Sequence, residues 1–287
     1  MKNFELQHIQ RRKRSNRIMH ILFLFSTMIG IVTLGILLVQ IIAKGSGWIS
    51  LDFFTHFSSR FPEKSGIKAA FFGTLWLMLI TAPLTFIIGV STAIYLEEYA
   101  KNTWLSRFIQ TNISNLAGVP SVVYGLLGLT IFVRLFDLGR SLISGALTMT
   151  LLVLPVIIVA ARESLKAVPN HQRNASLALG ANPWQTILRV VLPSAMPGIL
   201  TGSILSLSRA IGETAPLIVV GAASYIAFVP NSLFSDFTAM PIQIYSWAGR
   251  PEESFGQLAA AGIIVLLIML LGMNLIAIML RNKYQRS

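Results

Sequence analysis

The feature that most limits what this chain can fold into is the spacing of its charges. Uncharged apolar runs occupy residues 18–43, 69–96, 109–133, 141–161 and 258–280, with a further run at about 196–220 broken only by Arg209 and Glu213. A bilayer core about 30 Å thick is crossed by about 20 apolar helical residues, so each run is read as a membrane span. The expected fold class is an all-α membrane protein with six transmembrane helices. Composition agrees: 54% of the residues are apolar, 12% are charged and the mean hydropathy is +0.69. Soluble domains carry about 25% charged residues. Disordered chains, coiled coils and most soluble enzymes are excluded. The first run is 26 residues long and follows Arg11, Arg12, Lys13, Arg14 and Arg17. A secretory signal has an apolar core of about 7–15 residues, so this run is read as a retained anchor.

The net charge is +12 and the isoelectric point is near 10.5. On a soluble protein that would suggest nucleic acid; on a membrane chain it reads as cationic loops held in the cytoplasm, with no nucleic-acid partner. The tails and segments 97–108 and 162–190 hold 15 Lys and Arg, whereas segments 44–68, 134–140 and 221–257 hold 7. Both termini are therefore expected in the cytoplasm. Without the 6 in the N-terminal tail the ratio is 9 to 7, so the tail sets the orientation. The loops are too short for an independent domain, which needs at least about 50 residues. There is no cysteine, no Lys follows a Gly, and His8, His20, His56 and His171 show no ligand spacing. A disulfide framework, a phosphate-cradling G-x-x-x-x-G-K-[ST] loop and a metal site are thus not expected, and no cofactor is expected on this chain. No paired carboxylates or Ser/His/Asp set points to hydrolysis. Work done on ATP would need a nucleotide bound by another chain.

Residues 162–193 carry helix punctuation. Pro169 ends the preceding helix, Asn170 to Leu179 reads helical, and Gly180 is a C-terminal cap. Asn182 and Pro183 read as an N-cap and first helical position, with a second helix to Val191 and Pro193 opening the next span. Leu177, Ala181, Trp184, Leu188 and Val191 recur at helical spacing. Such a helix pair lies on the membrane, packs internally or docks a partner.

The fifth run holds Gly198, Gly202, Ser206, Ala210 and Thr214 at intervals of four, a small-residue stripe read as packing. Arg209 and Glu213 are also four apart, and on one helix they share a face. An Arg at a helix centre costs about 2.5–3.5 kcal/mol on insertion scales, so both should face the bundle interior or an aqueous cavity. They are read either as a bracing ion pair or as a transport site. Arg offers a planar fork that matches phosphate oxygens, and a permeation site must also release its ion. Glu213 would offset the Arg charge. It would also favour hydrogen phosphate, which keeps a P–OH donor, over sulfate, which has none. Gly118, Pro120 and Gly125 in the third run form a kink, lining the path or serving packing alone. Trp48, Trp76, Trp104 and Trp247 are read as interface anchors, His20 as interfacial and His171 as exposed.

These motifs resemble a family. The pattern E-A-A, three residues, Gly, nine residues, I-x-L-P marks the cytoplasmic coupling loop of bacterial ABC importer permeases. Ala175, Gly180, Leu192 and Pro193 stand in register; Asn174, Ser176 and Val190 replace the Glu, the second Ala and the Ile. Asn174 can still donate or accept a hydrogen bond. Residues 208–216, Ser-Arg-Ala-Ile-Gly-Glu-Thr-Ala-Pro, are similar to the signature of the phosphate-specific ABC importer permeases. Residues 115–125 and 238–247, the latter followed by Arg250-Pro251, favour the A-type subunit. The resemblance covers about residues 68 to 280. It implies a type I ABC importer permease in a bacterial cytoplasmic (inner) membrane, with phosphate passing Arg209 and Glu213. It also implies a second, C-type permease, two cytoplasmic ATPase subunits carrying ATP and Mg, and an external phosphate-binding protein. Asn174, Ala175, Ser176, Gly180, Leu192 and Pro193 would meet the ATPase. The expected organisation is a basic tail 1–17, an anchor helix 18–43, an external loop 44–68, a permease domain 69–280 with coupling loop 162–193, and a tail 281–287. The rival readings are a permease for another oxyanion (sulfate, molybdate or phosphonate), an ion-gradient transporter or channel, and a scaffold or sensor.

Overall fold

The computed structural model describes residues 2–100, 103–223 and 225–285, with the backbone alone for residues 2–11, 14, 15, 280 and 283–285. Arg286 of the basic tail lies outside the described residues, as do the side chains of His8, Arg11, Arg14 and Lys283. Twelve α-helices are named here in chain order: α1 Lys2–Gly45, α2 Leu51–Thr55, α3 Lys68–Ile94, α4 Trp104–Leu116, α5 Ser121–Gly128 and α6 Leu142–Lys166. There follow α7 Asn170–Ala178, α8 Pro183–Thr186, α9 Leu192–Ile211, α10 Ala215–Val220, α11 Met240–Ala248 and α12 Glu253–Gln285. Among the described residues there is no strand, only an isolated bridge from Ser141 to Asp236. Five helical stretches are long and apolar enough to cross a membrane, and a sixth is counted if α4 and α5 form one bent span.

The bundle is built on α6, which packs against α3 on one side and α9 on the other. Small residues bring the backbones close. A Cβ on Gly198 would lie 2.6 Å from Ser164 Oγ, and one on Gly202 would lie 2.5 Å from Ala160 Cβ. The stripe on α9 thus faces α6, the packing role expected of it. Across the other seam Gly89 of α3 meets Ile157 of α6, and Thr81 Oγ1 donates to the Ala146 carbonyl at 3.3 Å. Two apolar clusters result. One, around Val90, Ala161, Leu165, Val191 and Ile199, lies beside the α7–α8 segment; the other runs from Leu77 and Met149 to Phe53, Phe237, Trp247 and Phe255 beneath the opposite loops. Those loops are ordered: Leu142 N–H donates to the Ser235 carbonyl at 3.0 Å, and Met240 N–H to Thr74 Oγ1 at 2.8 Å. The α1 helix is exposed along its described side chains, Leu38 and Ile41 being half-buried, until Gly45, which abuts the backbone of Ala260 and Ala261 in α12.

Four expectations need correction. The third run is not one helix: α4 and α5 meet at 105°. Pro120 has no N–H and restrains Val119 away from helical angles, so the helix stops before it and restarts with Pro120 as the N-cap of α5. The fifth run ends at Ile211, because Pro216 can supply no N–H to the Gly212 carbonyl and its ring would strike that group; α10 then begins with Pro216 in its first turn. Pro193 does not open a new span. Residues 183–211 form one continuous helix, with a widened turn at Ile187–Val191 that absorbs the missing bond four residues before Pro193. Trp247 is fully buried, packed near Phe53 and Gly262, and so is a core residue rather than an interface anchor.

Candidate translocation site and coupling surface

The α9 helix closes with tight three-residue bonds, Gly212 N–H to the Arg209 carbonyl at 3.2 Å and Glu213 N–H to the Ala210 carbonyl at 3.1 Å. Arg209 therefore stands in the last turn, where the carbonyl end of the helix favours a cation. Glu213 lies just past the helix, and its Oε1 is 3.6 Å from Arg209 Nε. The pair forms although the two residues do not share one helix. Their surroundings differ: the Arg209 side chain is 76% exposed and that of Glu213 only 18%. Arg209 thus faces outward from this chain and not into its bundle; of the two expected settings, a bundle interior or an aqueous cavity, its side chain does not take the first.

The two line a cleft at the break between α4 and α5. Ala117, Ser121 and Tyr124 form one wall, Leu152 and Val156 of α6 the floor, and Ser206 and Ala210 of α9 the other wall. Tyr124 Oη donates to the Leu116 carbonyl at 2.8 Å and so pins the end of α4 to α5. Tyr124 had no signal of its own in the sequence, because its role depends on the 105° bend. Gly118 is exposed at the break, and a Cβ there would meet only the Asn115 carbonyl, at 3.4 Å. Gly125 is buried against Pro216 and Val219, and a Cβ there would lie 2.9 Å from each. Of the three kink residues, Gly118 and Pro120 stand at the break, which Pro120 enforces, and Gly125 serves the packing of α5 on α10.

A second exposed surface lies at the other end of α9. Gly180 adopts φ +86°, the left-handed region, and its N–H donates to the Leu177 carbonyl at 3.0 Å, with Ala181 N–H on the Ser176 carbonyl at 3.2 Å. Asn182 caps α8 reciprocally with Gln185, at 2.8 and 3.0 Å. Ser176 and Thr186 hydroxyls, 3.0 Å apart, hold α7 to α8. Asn174, Ala175, Gly180 and Pro193 are exposed, Ser176 is half-buried, and Leu192 packs against the smaller apolar cluster. Beside them Leu177, Trp184 and Leu188 are exposed, and Leu179 is 90% exposed.

One ion pair anchors this segment and a second lies beside it. Arg173 of α7 donates to Glu98 at 2.8 Å and to the Leu165 carbonyl at 2.8 Å, and also reaches the Val168 carbonyl. Arg162 of α6 donates to Glu97 at 3.3 Å and to Gln110 of α4 at 3.3 Å. The four charged side chains are between 12% and 21% exposed. Sequence reasoning did not pair them. Opposite charges bordering successive spans were the available signal, but partner choice required the packing of α3 on α6.

A family model, "Binding-protein-dependent transport system inner membrane component", matches residues 86–283. Phosphate transport system permease protein PstA 1 of Mycobacterium tuberculosis (strain ATCC 25618 / H37Rv) is 34% identical over 280 residues, covering 94% of this chain and 89% of that protein. Phosphate transport system permease protein PstA of Xylella fastidiosa (strain 9a5c) is 33% identical over 245 residues, 85% of each chain. Among solved structures, a chain of the inward-facing MetNI methionine ABC transporter matches with a TM-score of 0.62 at 18% identity, over 76% of this chain and 95% of that one. A chain of a bacterial ABC transporter involved in the import of the acidic polysaccharide alginate matches with a TM-score of 0.62 at 15% identity, over 96% and 99%. These two share the fold, that of type I ABC importer permeases. With a family match across most of its length and relatives above 30% identity, the chain belongs to the binding-protein-dependent transport system inner membrane components, as a multi-pass permease subunit and not an enzyme.

Proposed function

We propose that this chain is the A-type permease subunit of an ATP-driven importer of inorganic phosphate, working by alternating access. The relatives named as phosphate transport permeases support the substrate. The observation that carries the mechanism is Arg209, a cation 76% exposed on the outer face of an apolar bundle. Lipid is a costly neighbour for such a side chain, by about 2.5–3.5 kcal/mol on insertion scales. A second, C-type permease facing the α4–α5 break would enclose Arg209 and leave it lining a shared aqueous path. Its fork of donors suits phosphate oxygens, and Glu213 at 3.6 Å moderates the charge and accepts the P–OH of hydrogen phosphate. On this reading both termini are cytoplasmic, and an external phosphate-binding protein delivers its load to segments 44–68 and 221–257. Two ATPase subunits carrying ATP and Mg meet α7 and α8 around Asn174, Ala175, Ser176 and Gly180, with Leu192 and Pro193 behind them. The permease domain is residues 69–280, preceded by the anchor helix. Hydrolysis belongs to the ATPase, and this chain moves.

The test is uptake of labelled phosphate, with sulfate alongside, in cells lacking the chain and restored with wild type, Arg209→Ala or Glu213→Gln. Wild type is expected to restore phosphate uptake alone. Arg209→Ala, shown to assemble, is expected to lose at least about tenfold, the effect of removing a charge-assisted contact worth roughly 1.5–3 kcal/mol. Glu213→Gln should narrow the preference for phosphate over sulfate. Sulfate uptake without phosphate uptake would change the anion, and uptake independent of ATP would change the class of transporter.

A further inference from the structure

The α7–α8 segment reaches the Arg209 cleft along α9. Residues 183–211 form one helix, which rises about 26 Å from Leu192 to Arg209 at 1.5 Å per residue. That helix forms one wall, through Ser206 and Ala210. The opposite wall, Leu116 and Ala117 at the end of α4, is not on it. A second connection leads there. The widened turn Tyr95–Tyr99 at the end of α3 carries two adjacent acids with different partners. Glu98 holds Arg173 of α7, and Glu97 holds Arg162, whose Nη2 also reaches Gln110 in the middle of α4. Arg173 further grips the Leu165 and Val168 carbonyls, so α7, α6 and α3 meet at one side chain. All four charges are largely shielded from water, where screening is weaker than at an open surface.

We propose that Glu97, Glu98, Arg162 and Arg173 are positioning residues that tie the coupling helix α7 to α4, so that the ATPase moves both walls of the Arg209 cleft together. This rests on the reading of α7 and α8 as the ATPase contact. Breaking the tie leaves α9 driven and α4 undriven. ATP is then hydrolysed without the far wall following, and transport per ATP falls. A purely structural brace would lower assembly, hydrolysis and transport in step.

The experiment uses the whole complex, with its partner permease, ATPases and binding protein, in proteoliposomes. Labelled phosphate uptake and ATP hydrolysis are read together. Glu97→Arg and Arg162→Glu are each expected to lower phosphate moved per ATP by at least about fivefold, the low end of ordinary coupling effects, with hydrolysis within about twofold of wild type. The exchanged pair Glu97→Arg/Arg162→Glu is expected to return the ratio to within about twofold. Glu98→Gln, a milder change that keeps an acceptor for Arg173, should lower the ratio without loss of assembled complex. An unchanged ratio in all variants overturns the proposal, as does a parallel fall of uptake and hydrolysis that the exchange fails to restore. If wild type itself shows no ATP-dependent uptake, it is the importer reading that fails.

Discussion

Gly73 shows how little room the loop-side end of the bundle leaves. A Cβ there would collide with the Thr238 carbonyl oxygen, a backbone atom that cannot rotate away, while the next residue, Thr74, accepts the Met240 N–H. Gly73→Ala should therefore lift segment 221–239 off α3, at about 1–3 kcal/mol, the usual cost of overpacking. Gly35, in α1, has nothing within 4 Å of a Cβ, so Gly35→Ala should leave the midpoint unchanged. A thermal melt of the detergent-purified protein, with limited proteolysis of the loop, separates the two. At this scale the sequence identified residue types more reliably than surroundings. Arg209 and Glu213 stood out as charges in an apolar run, yet they differ in exposure across the end of α9 that lies between them. Trp247 carried the composition of an interface anchor and is a core side chain, because α11 folds back over α12.

The most legible element was the α7–α8 pair. Pro169, Gly180, Asn182 and Pro183 act locally, through missing donors, a positive φ and side-chain caps, so their reading needed no tertiary contact. Gly180 has open space around it, and only its backbone angle is demanding. The left-handed region costs an ordinary L-residue about 1–2 kcal/mol, and Asn less than most. On the proposed coupling role, Gly180→Val should reduce phosphate uptake several-fold, while Gly180→Asn should stay near wild type, measured at equal amounts of assembled complex. Less legible was the number of separate helices between Pro183 and Val220. Pro193 and Pro216 look alike in sequence. One is absorbed by a widened turn and the other follows the end of a helix.

For the whole molecule, the expected orientation rests on charge placed along the chain and not on contacts. The absence of cysteine from the sequence makes it directly measurable, since an introduced thiol is the only one present. Ser287→Cys is expected to react with a membrane-impermeant maleimide only after the cytoplasmic face is opened, and His56→Cys in intact spheroplasts. Neutralising Arg11, Arg12, Lys13, Arg14 and Arg17 together should produce mixed labelling, because with Lys2 kept the remaining bias is only 10 to 7.

What the sequence by itself determined was the class of solvent, the approximate spans, the caps of α7 and α8 and the residues that carry charge into the apolar runs. Each depends on transfer free energy or on backbone chemistry within a few residues, and such terms act wherever the segment lies. What only the tertiary structure decided was the 105° break that opens the cleft, the outward face of Arg209, and the pairing of Glu97 with Arg162 and of Glu98 with Arg173. Those depend on which helices meet α6 and at what height. Small residues such as Gly89, Gly198 and Gly202 permit that contact, but their spacing does not name the partner.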